Sequence, residues 1–394
     1  MTESSEVIAS MNRGMLMVDV EDKMEDSLDG LGGTFREEGM SVAFDALRLD
    51  GEEINMDVFE EDIVKEKRIG QGACSSVYKA RHKVTGDLYA LKMFSVYDKS
   101  RRDQLRKEIR MLASIDCDAL IQFHGAFYKE GDVGVILEYM DRGSLEFIVD
   151  RNVDIDDYSL ASITYQIMWG LAYLHYDNNL HRDIKPGNVL MNSRGQVKLS
   201  DFGICKVLDN SMAMSDTSVG TFRYMSVERL YGKEYSSSSD LWSVGIMLIE
   251  LWNKRYPFDH YCSSPIELLQ RLEDVKHEGK SGLITRQCSR DMADFIDAIL
   301  SPDITGKKMT SLFLEAGWFM NLELNSVEAS QQGVRRFLAT VDATPDTRSA
   351  KKQSTVNPFA KGEFSDSEDD YKADFEEYDA DEKSGFEGGR DSKW

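Results

Sequence analysis

The residues whose types and spacing could do chemistry crowd into one stretch, His181 to Gly203, which reads HRDIKPGNVLMNSRGQVKLSDFG. Two short β-prone runs, Val189 to Met191 and Val197 to Leu199, flank the turn-forming Asn192-Ser193-Arg194-Gly195, a pattern that predicts a hairpin. When it closes, Asn188 and Asp201 meet at its open end, with Asp183 just upstream on the loop feeding the first strand. Two carboxylates and a carboxamide at one mouth make an oxygen-rich site for a hard cation such as Mg²⁺, which keeps waters and takes phosphate as a further ligand. One of the carboxylates can stay off the cation and receive a proton.

A second group lies upstream. Ile63 to Ile69, Val77 to Ala80 and Leu88 to Phe94 are short β-like runs. Between the first two stand Gly70, Gln71, Gly72, Ala73, Cys74, Ser75, Ser76 and Val77. Glycines here let backbone N–H groups approach phosphate oxygens. The loop leads into another strand and not into a helix, which sets it apart from a dinucleotide fingerprint. The third run carries Tyr89-Ala90-Leu91-Lys92. A helix is expected over about Arg101 to Ile115, with Leu105, Ile109, Leu112 and Ile115 as its buried stripe. Glu108 falls on that stripe, and an inward carboxylate needs a cationic partner; Lys92 is the candidate.

These groups need scaffolding from the rest of the chain. Val133 to Leu137 is one more apolar run, followed by Glu138-Tyr139-Met140-Asp141-Arg142-Gly143-Ser144-Leu145. Beyond it the pattern turns helical: Leu160, Ile163, Ile167, Leu171 and Leu174 form one stripe, and Leu241 to Trp252 is apolar nearly all round, as in a buried helix. Asp240 stands where its N-cap is expected. Amphipathic helices follow around Ile266 to Val275 and Met292 to Leu300, and Trp318-Phe319 is the last core signal. Strands first and helices after read as an α+β fold.

His181-Arg182-Asp183 with Asn188, then Asp201-Phe202-Gly203, resembles the catalytic loop and metal-binding triplet of protein kinases. The resemblance implies a bilobal fold, with a small β-rich N-lobe carrying one key helix over about 59–140 and a larger, mainly helical C-lobe over about 141–320. It implies that Asp183 accepts the proton of the substrate hydroxyl, Lys185 steadies the γ-phosphate, and Asn188 and Asp201 hold Mg²⁺. Lys92 paired with Glu108 would position the α- and β-phosphates of ATP. The nucleotide would lie against Ile69, the Gly70–Val77 loop and Ala90. Leu137 would be the gatekeeper, with backbone groups near Glu138 and Met140 meeting the adenine.

Val219-Gly220-Thr221, Tyr224-Met225-Ser226-x-Glu228-Arg229-Leu230, Met140-Asp141-x-Gly143-Ser144-Leu145 and Asp240 to Gly245 resemble MAP kinase kinases more narrowly. That resemblance implies a dual-specificity enzyme that phosphorylates the Thr and Tyr of a MAP kinase activation loop and is itself activated by an upstream MAP kinase kinase kinase. A Ser/Thr kinase with another protein substrate, or a scaffolding pseudokinase, are the alternatives. Two positions depart from the pattern. Val227 replaces a proline, and Lys308 stands where an arginine normally pairs with Glu228, giving a point contact in place of a bidentate fork.

The formal charge of -23 argues against nucleic acid or an anionic membrane surface as partner. Five cysteines without CxxC spacing read as reduced thiols of a cytoplasmic protein. The N-terminus has no apolar h-region and no lipidation signal, so neither secretion nor anchoring is expected. Residues 1–58 are acidic and rich in Ser, Gly and Met, and residues 321–394 lose the core pattern; both are expected to be largely disordered. MNRGMLMVDV, with one Arg before a short apolar run, reads as an incidental patch in preference to a MAP kinase docking peptide.

The activation segment holds Ser211, Ser215, Thr217 and Ser218. Arg182 before Asp183 is the arrangement that, by the resemblance, needs a phosphate on this segment to neutralise it. Thr217 with Ser211 gives the plant-type spacing and Ser215 the animal-type one; Ser211 with Thr217 is favoured, Ser215 being the alternative second site. Ser211→Ala with Thr217→Ala should give a folded enzyme that an upstream kinase cannot activate, while Ser218→Ala stays close to wild type in the same assay. If only Ser215→Ala blocks activation, the plant-type register is wrong.

Overall fold

The computed structural model describes residues 28–29, 34–37, 40–43, 46–71, 75–96, 99–201, 223–232, 236–261, 265–278, 281–301 and 316–343. Its first large sheet is antiparallel: β6 (Ile63–Gln71), β7 (Ser75–His82), β8 (Leu88–Ser95), β9 (Phe123–Lys129) and β10 (Asp132–Glu138), in the order β6-β7-β8-β10-β9. In the register of the central strands Lys92 stands opposite Val77 on one side and Val135 on the other. Helix α1 (Lys99–Ser114) packs its stripe Leu105, Ile109 and Leu112 into the core. Glu108 is buried on the same face, as 3–4 spacing requires.

The second half is helical. After the short α2 (Glu146–Asp150) comes α3 (Asp157–Tyr176), opened by Asp156, whose carboxylate accepts the Ser159 N–H at 2.9 Å. β11 (Gly143–Ser144), which precedes these helices, pairs with β12 (Val189–Met191), and β12 with β13 (Val197–Leu199), to form a three-stranded sheet. Then follow α4 (Val227–Leu230), α5 (Ser237–Asn253), α6 (Pro265–Glu278), α7 (Arg290–Ile299) and α8 (Gly317–Asn321). Trp318 and Phe319 on α8 close the core against Phe295 of α7, at ring-centroid distances of 5.3 and 5.2 Å. This is the α+β, two-lobed arrangement that the strands-then-helices pattern leads one to expect.

Three expectations need correction. Asp240 is not the N-cap of α5: extended Ser236 takes that place and Asp240 sits fully buried in the first turn. The serines of Ser236 to Ser239 compete for the cap, so the helix starts four residues earlier than its apolar stretch.

Residues 1–58 are not uniformly unstructured. β1 (Leu28–Asp29), β2 (Thr34–Glu37), β3 (Met40–Val42), β4 (Leu47–Leu49) and β5 (Glu52–Ile54) form an antiparallel meander. Phe35, Met40, Val42, Leu47 and Leu49 join the same core as α1. Two- to four-residue strands present only one or two inward residues each, too few to stand out among acidic neighbours.

The C-terminal region is not patternless either: α9 (Val327–Ala343) turns Ser330, Gly333, Val334, Phe337 and Leu338 inward. Gly333 permits the close approach, since a Cβ there would lie 2.0 Å from Ser162 Oγ on α3. Phe337 stacks on Phe147 of α2, centroids 6.4 Å apart. The stripe is interrupted by glycine and serine, which carry no hydrophobic signal. The MNRGMLMVDV segment and residues 344–394 lie outside the described residues.

Phe337→Ala should lower the free energy of unfolding by about 3–5 kcal/mol. Arg336→Ala, on the exposed face of α9, should change it by no more than ~0.5 kcal/mol. Equal urea midpoints for the two variants would overturn the docking of α9.

Candidate active site

The hairpin closes in the register Val189↔Leu199, Leu190↔Lys198 and Met191↔Val197. Its turn is drawn together by Asn192, whose Oδ1 accepts the N–H groups of Arg194 and Gln196, each at 3.1 Å. Gly195 supplies the left-handed residue (φ 83°). At the open end Ser200 N donates to Asn188 O at 2.9 Å. Asn188 Nδ2 donates to the Asp183 carbonyl at 2.8 Å and to its Oδ2 at 2.9 Å, and Lys185 Nζ lies 3.0 Å from the same Oδ2. With its amide nitrogen committed, Asn188 has its carboxamide oxygen to offer a cation.

The loop before Asp183 is fastened from below. Asp240 accepts His181 N and Arg182 N, each at 2.9 Å, and His175 Nε2 at 2.8 Å. His181 is buried, with Nε2 3.1 Å from Ser200 O and Nδ1 3.3 Å from Asp183 N. The carbonyl can only accept and the N–H only donate, so the imidazole is the neutral tautomer with hydrogen on Nε2. Burial, opposed by Asp240, Asp183 and Asp201, holds its pKa below the ordinary histidine value, in keeping with that tautomer. Arg182 and Asp201 both adopt left-handed backbone (φ 67° and 56°), a strain of about 1–3 kcal/mol for each.

Lys92 reaches this cluster from β8. Its Nζ lies 2.6 Å from Glu108 Oε1 and 2.6 Å from Asp201 Oδ1, and the residue is 7% exposed. Burial alone would drive the ammonium toward neutrality, but the two carboxylates outweigh it and hold its pKa well above the ordinary lysine value. The Lys92 charge in turn holds the Asp201 carboxyl below the usual carboxylate range. The structure thus brings Lys92, Glu108, Asp201, Asn188, Asp183 and Lys185 to one place.

Other candidate residues frame it. Gly70 pairs with Val77 and Gln71 with Ser76 across the two strands, and Ser75 opens β7. Gly72, Ala73 and Cys74 lie outside the described residues, as do Ser211, Ser215 and Thr217. Ile69 is 43% exposed near the end of β6. Ala90 and Leu137 stand opposite each other on β8 and β10. Glu138 N donates to Gln122 O at 3.1 Å, and Met140 O accepts Gly143 N at 3.2 Å. Among the described residues no cluster of three or more His, Cys, Asp or Glu could hold a metal by itself. A cation at Asn188 and Asp201 would therefore draw further oxygens from phosphate and water, which is how Mg²⁺ is usually held.

A family model described as "Protein kinase domain" matches residues 63–319. Mitogen-activated protein kinase kinase 2 of Arabidopsis thaliana is 34% identical over 261 residues, covering 64% of this chain and 71% of that protein. The dual specificity mitogen-activated protein kinase kinase dSOR1 of Drosophila melanogaster is 32% identical over 312 residues, covering 73% and 77%. The chain belongs to the MAP kinase kinase family of protein kinases. Mitogen-activated protein kinase kinase 3 of Arabidopsis thaliana is 40% identical over 240 residues, of which the chain spans 45% of the full length. A kinase of this family uses ATP. No helix among the described residues is long and apolar enough to cross a membrane.

One ion pair of this kinase was not anticipated from its sequence. Lys198 on β13 is 2% exposed and places Nζ 2.7 Å from Glu138 Oε1 at the end of β10. The same oxygen accepts Gln122 N at 3.1 Å. The available signal was a lysine inside Val197-Lys198-Leu199, a three-residue strand buried at every position, where an ammonium must find a carboxylate. Lys198→Met strands the Glu138 carboxylate and should cost about 3–5 kcal/mol of stability. Pairing it with Glu138→Leu should recover most of that loss. Unchanged thermal unfolding in the single variant would show that the pair carries nothing.

Proposed function

We propose that this kinase transfers the γ-phosphoryl group of ATP to the Thr and Tyr hydroxyls of a MAP kinase activation loop. The observation that carries the catalytic part is the buried Lys92 bridging Glu108 and Asp201 beside an Asp183 held by Asn188 and Lys185. The dual-specificity part rests on the family and on the dual specificity named for the Drosophila relative.

In this reading Lys92 orients the α- and β-phosphates, and Glu108 keeps the ammonium aimed into the cleft. Asn188 and Asp201 hold Mg²⁺ through oxygen, and Ile69, the Gly70–Val77 loop, Ala90, Leu137, Glu138 and Met140 enclose the nucleotide. Asp183 receives the proton of the substrate hydroxyl while Lys185 steadies the moving phosphoryl group. Bound Mg²⁺–ATP supplies the transferable phosphoryl group and neutralises its developing charge. The remaining catalysis is positioning and electrostatics from side chains already in place. An upstream kinase switches the enzyme on through Ser211 and Thr217, or Ser215, in a cytosolic cascade.

Incubation with a panel of kinase-dead MAP kinases and ATP, read by mass spectrometry, should yield doubly phosphorylated Thr-x-Tyr loops; phosphate on other proteins alone would sink the substrate assignment. Lys92→Met should abolish transfer while the protein stays folded. Asp183→Asn keeps shape and hydrogen bonding but removes the base, and should slow single-turnover transfer by about 10²–10⁴-fold. A rate within a few-fold of wild type would remove Asp183 from that role.

A further inference from the structure

Arg229 lies on α4, the first described helix after the activation segment, and is 7% exposed. Its Nη1 donates to the carbonyl oxygen of Arg182 at 2.7 Å. That carbonyl and the Asp183 N–H belong to a single peptide unit. The N–H end of the unit points to His181 Nδ1 at 3.3 Å. The preceding peptide is held by Asp240, which accepts Arg182 N at 2.9 Å. A planar peptide gripped at both ends cannot rotate, and Asp183 is the residue it carries. The grip is needed because Arg182 sits in left-handed backbone, at φ 67°, which a non-glycine residue leaves unless its surroundings hold it.

We propose that Arg229 is a positioning residue for phosphoryl transfer: it fixes the Arg182–Asp183 peptide and thereby sets where the Asp183 carboxylate points. It also ties the end of the activation segment to the catalytic loop through one charge-assisted hydrogen bond, a bond stronger than its neutral counterpart. This matters in a chain whose α4 starts on Val227, two residues before Arg229. Without a proline ring to stiffen the start of α4, the arginine at its third position holds the helix to the loop it serves. The inference rests on the reading of Asp183 as proton acceptor.

The test uses the activated full-length enzyme and a double-mutant cycle with Asp183→Asn. Arg229→Met keeps the length and apolar stem of the side chain and removes the donor. In single-turnover transfer at saturating protein substrate it should slow the reaction by on the order of 10- to 100-fold, with the nucleotide dissociation constant within about twofold of wild type, the expected signature when only positioning is lost. Arg229→Lys, which can still donate one hydrogen bond, should recover most of the rate. In the Asp183→Asn background Arg229→Met should add little further loss, because the group it positions is gone.

Should Arg229→Met not yield folded protein, Arg229→Leu, which also lacks a donor, takes its place in the same cycle with the same expectations. A rate near wild type for the donorless variant overturns the inference. So does an undiminished loss on top of Asp183→Asn, or a change confined to nucleotide affinity. If Asp183→Asn itself retains its rate, the reading of Asp183 fails instead, and the two failures are distinguishable.

Discussion

A single ammonium group organises the catalytic half of the molecule. Lys92 is buried, so its charge must be answered within hydrogen-bonding distance or be lost. One answering carboxylate comes from α1 and the other from Asp201, two residues beyond β13. The β-sheet, its flanking helix and the end of the catalytic hairpin are thereby held to one another at a point. A shift of α1 by part of a turn would withdraw Glu108. A shift of the hairpin would withdraw Asp201, leaving a buried cation with half its compensation. The pairing works as a check on the assembly of the site, since the low-energy arrangement is the one with all three groups converged.

The opposite wall is governed by backbone hydrogen bonding. The loop from His181 to Asp183 makes no regular structure, so its polar groups need individual partners. Asp240 satisfies two N–H groups, and its own full burial in the first turn of α5 holds that carboxylate in place. Neutral His181 links Ser200 to the Asp183 amide. Because these partners come from distant parts of the chain, the loop can keep the left-handed Arg182 that local preference opposes. Strain concentrated beside the Asp183 carboxylate is tolerated where the surroundings over-determine it.

What the sequence made legible follows from which signals are local. The hairpin from Val189 to Leu199, the strands on either side of the glycine loop and the inward Glu108 were readable because each is set by turn chemistry or by a local period within about fifteen residues. The family segment at Tyr224 to Leu230 was readable by resemblance, and its last four residues, Val227 to Leu230, form α4. The start of α5 was misplaced because the apolar run marks burial and the serines upstream mark the cap. The meander from β1 to β5 was missed because its strands are too short to show alternation, although Met40, Val42, Leu47 and Leu49 do alternate with outward residues. The Lys198–Glu138 pair needed knowledge that β13 is buried on both faces, which no three-residue window contains. The activation-segment serines lie outside the described residues, so their reading stands on spacing alone.

The helix beyond the matched kinase domain changes how that domain is built. Arg335 of α9 donates to the Arg194 carbonyl at 2.7 Å, at the closed tip of the catalytic hairpin. Gln166 of α3 donates to the Gly195 carbonyl at 3.1 Å and accepts Val197 N at 2.9 Å. The tip is therefore anchored by two packed helices, one of them drawn from a segment whose composition suggested no structure. A hairpin with strands of three residues has little stiffness of its own. Fastening its far end limits how far Asn188 and Asp201 can move at the near end. The C-terminal helix thus bears on the position of Asn188 and Asp201 through the lever arm of the hairpin.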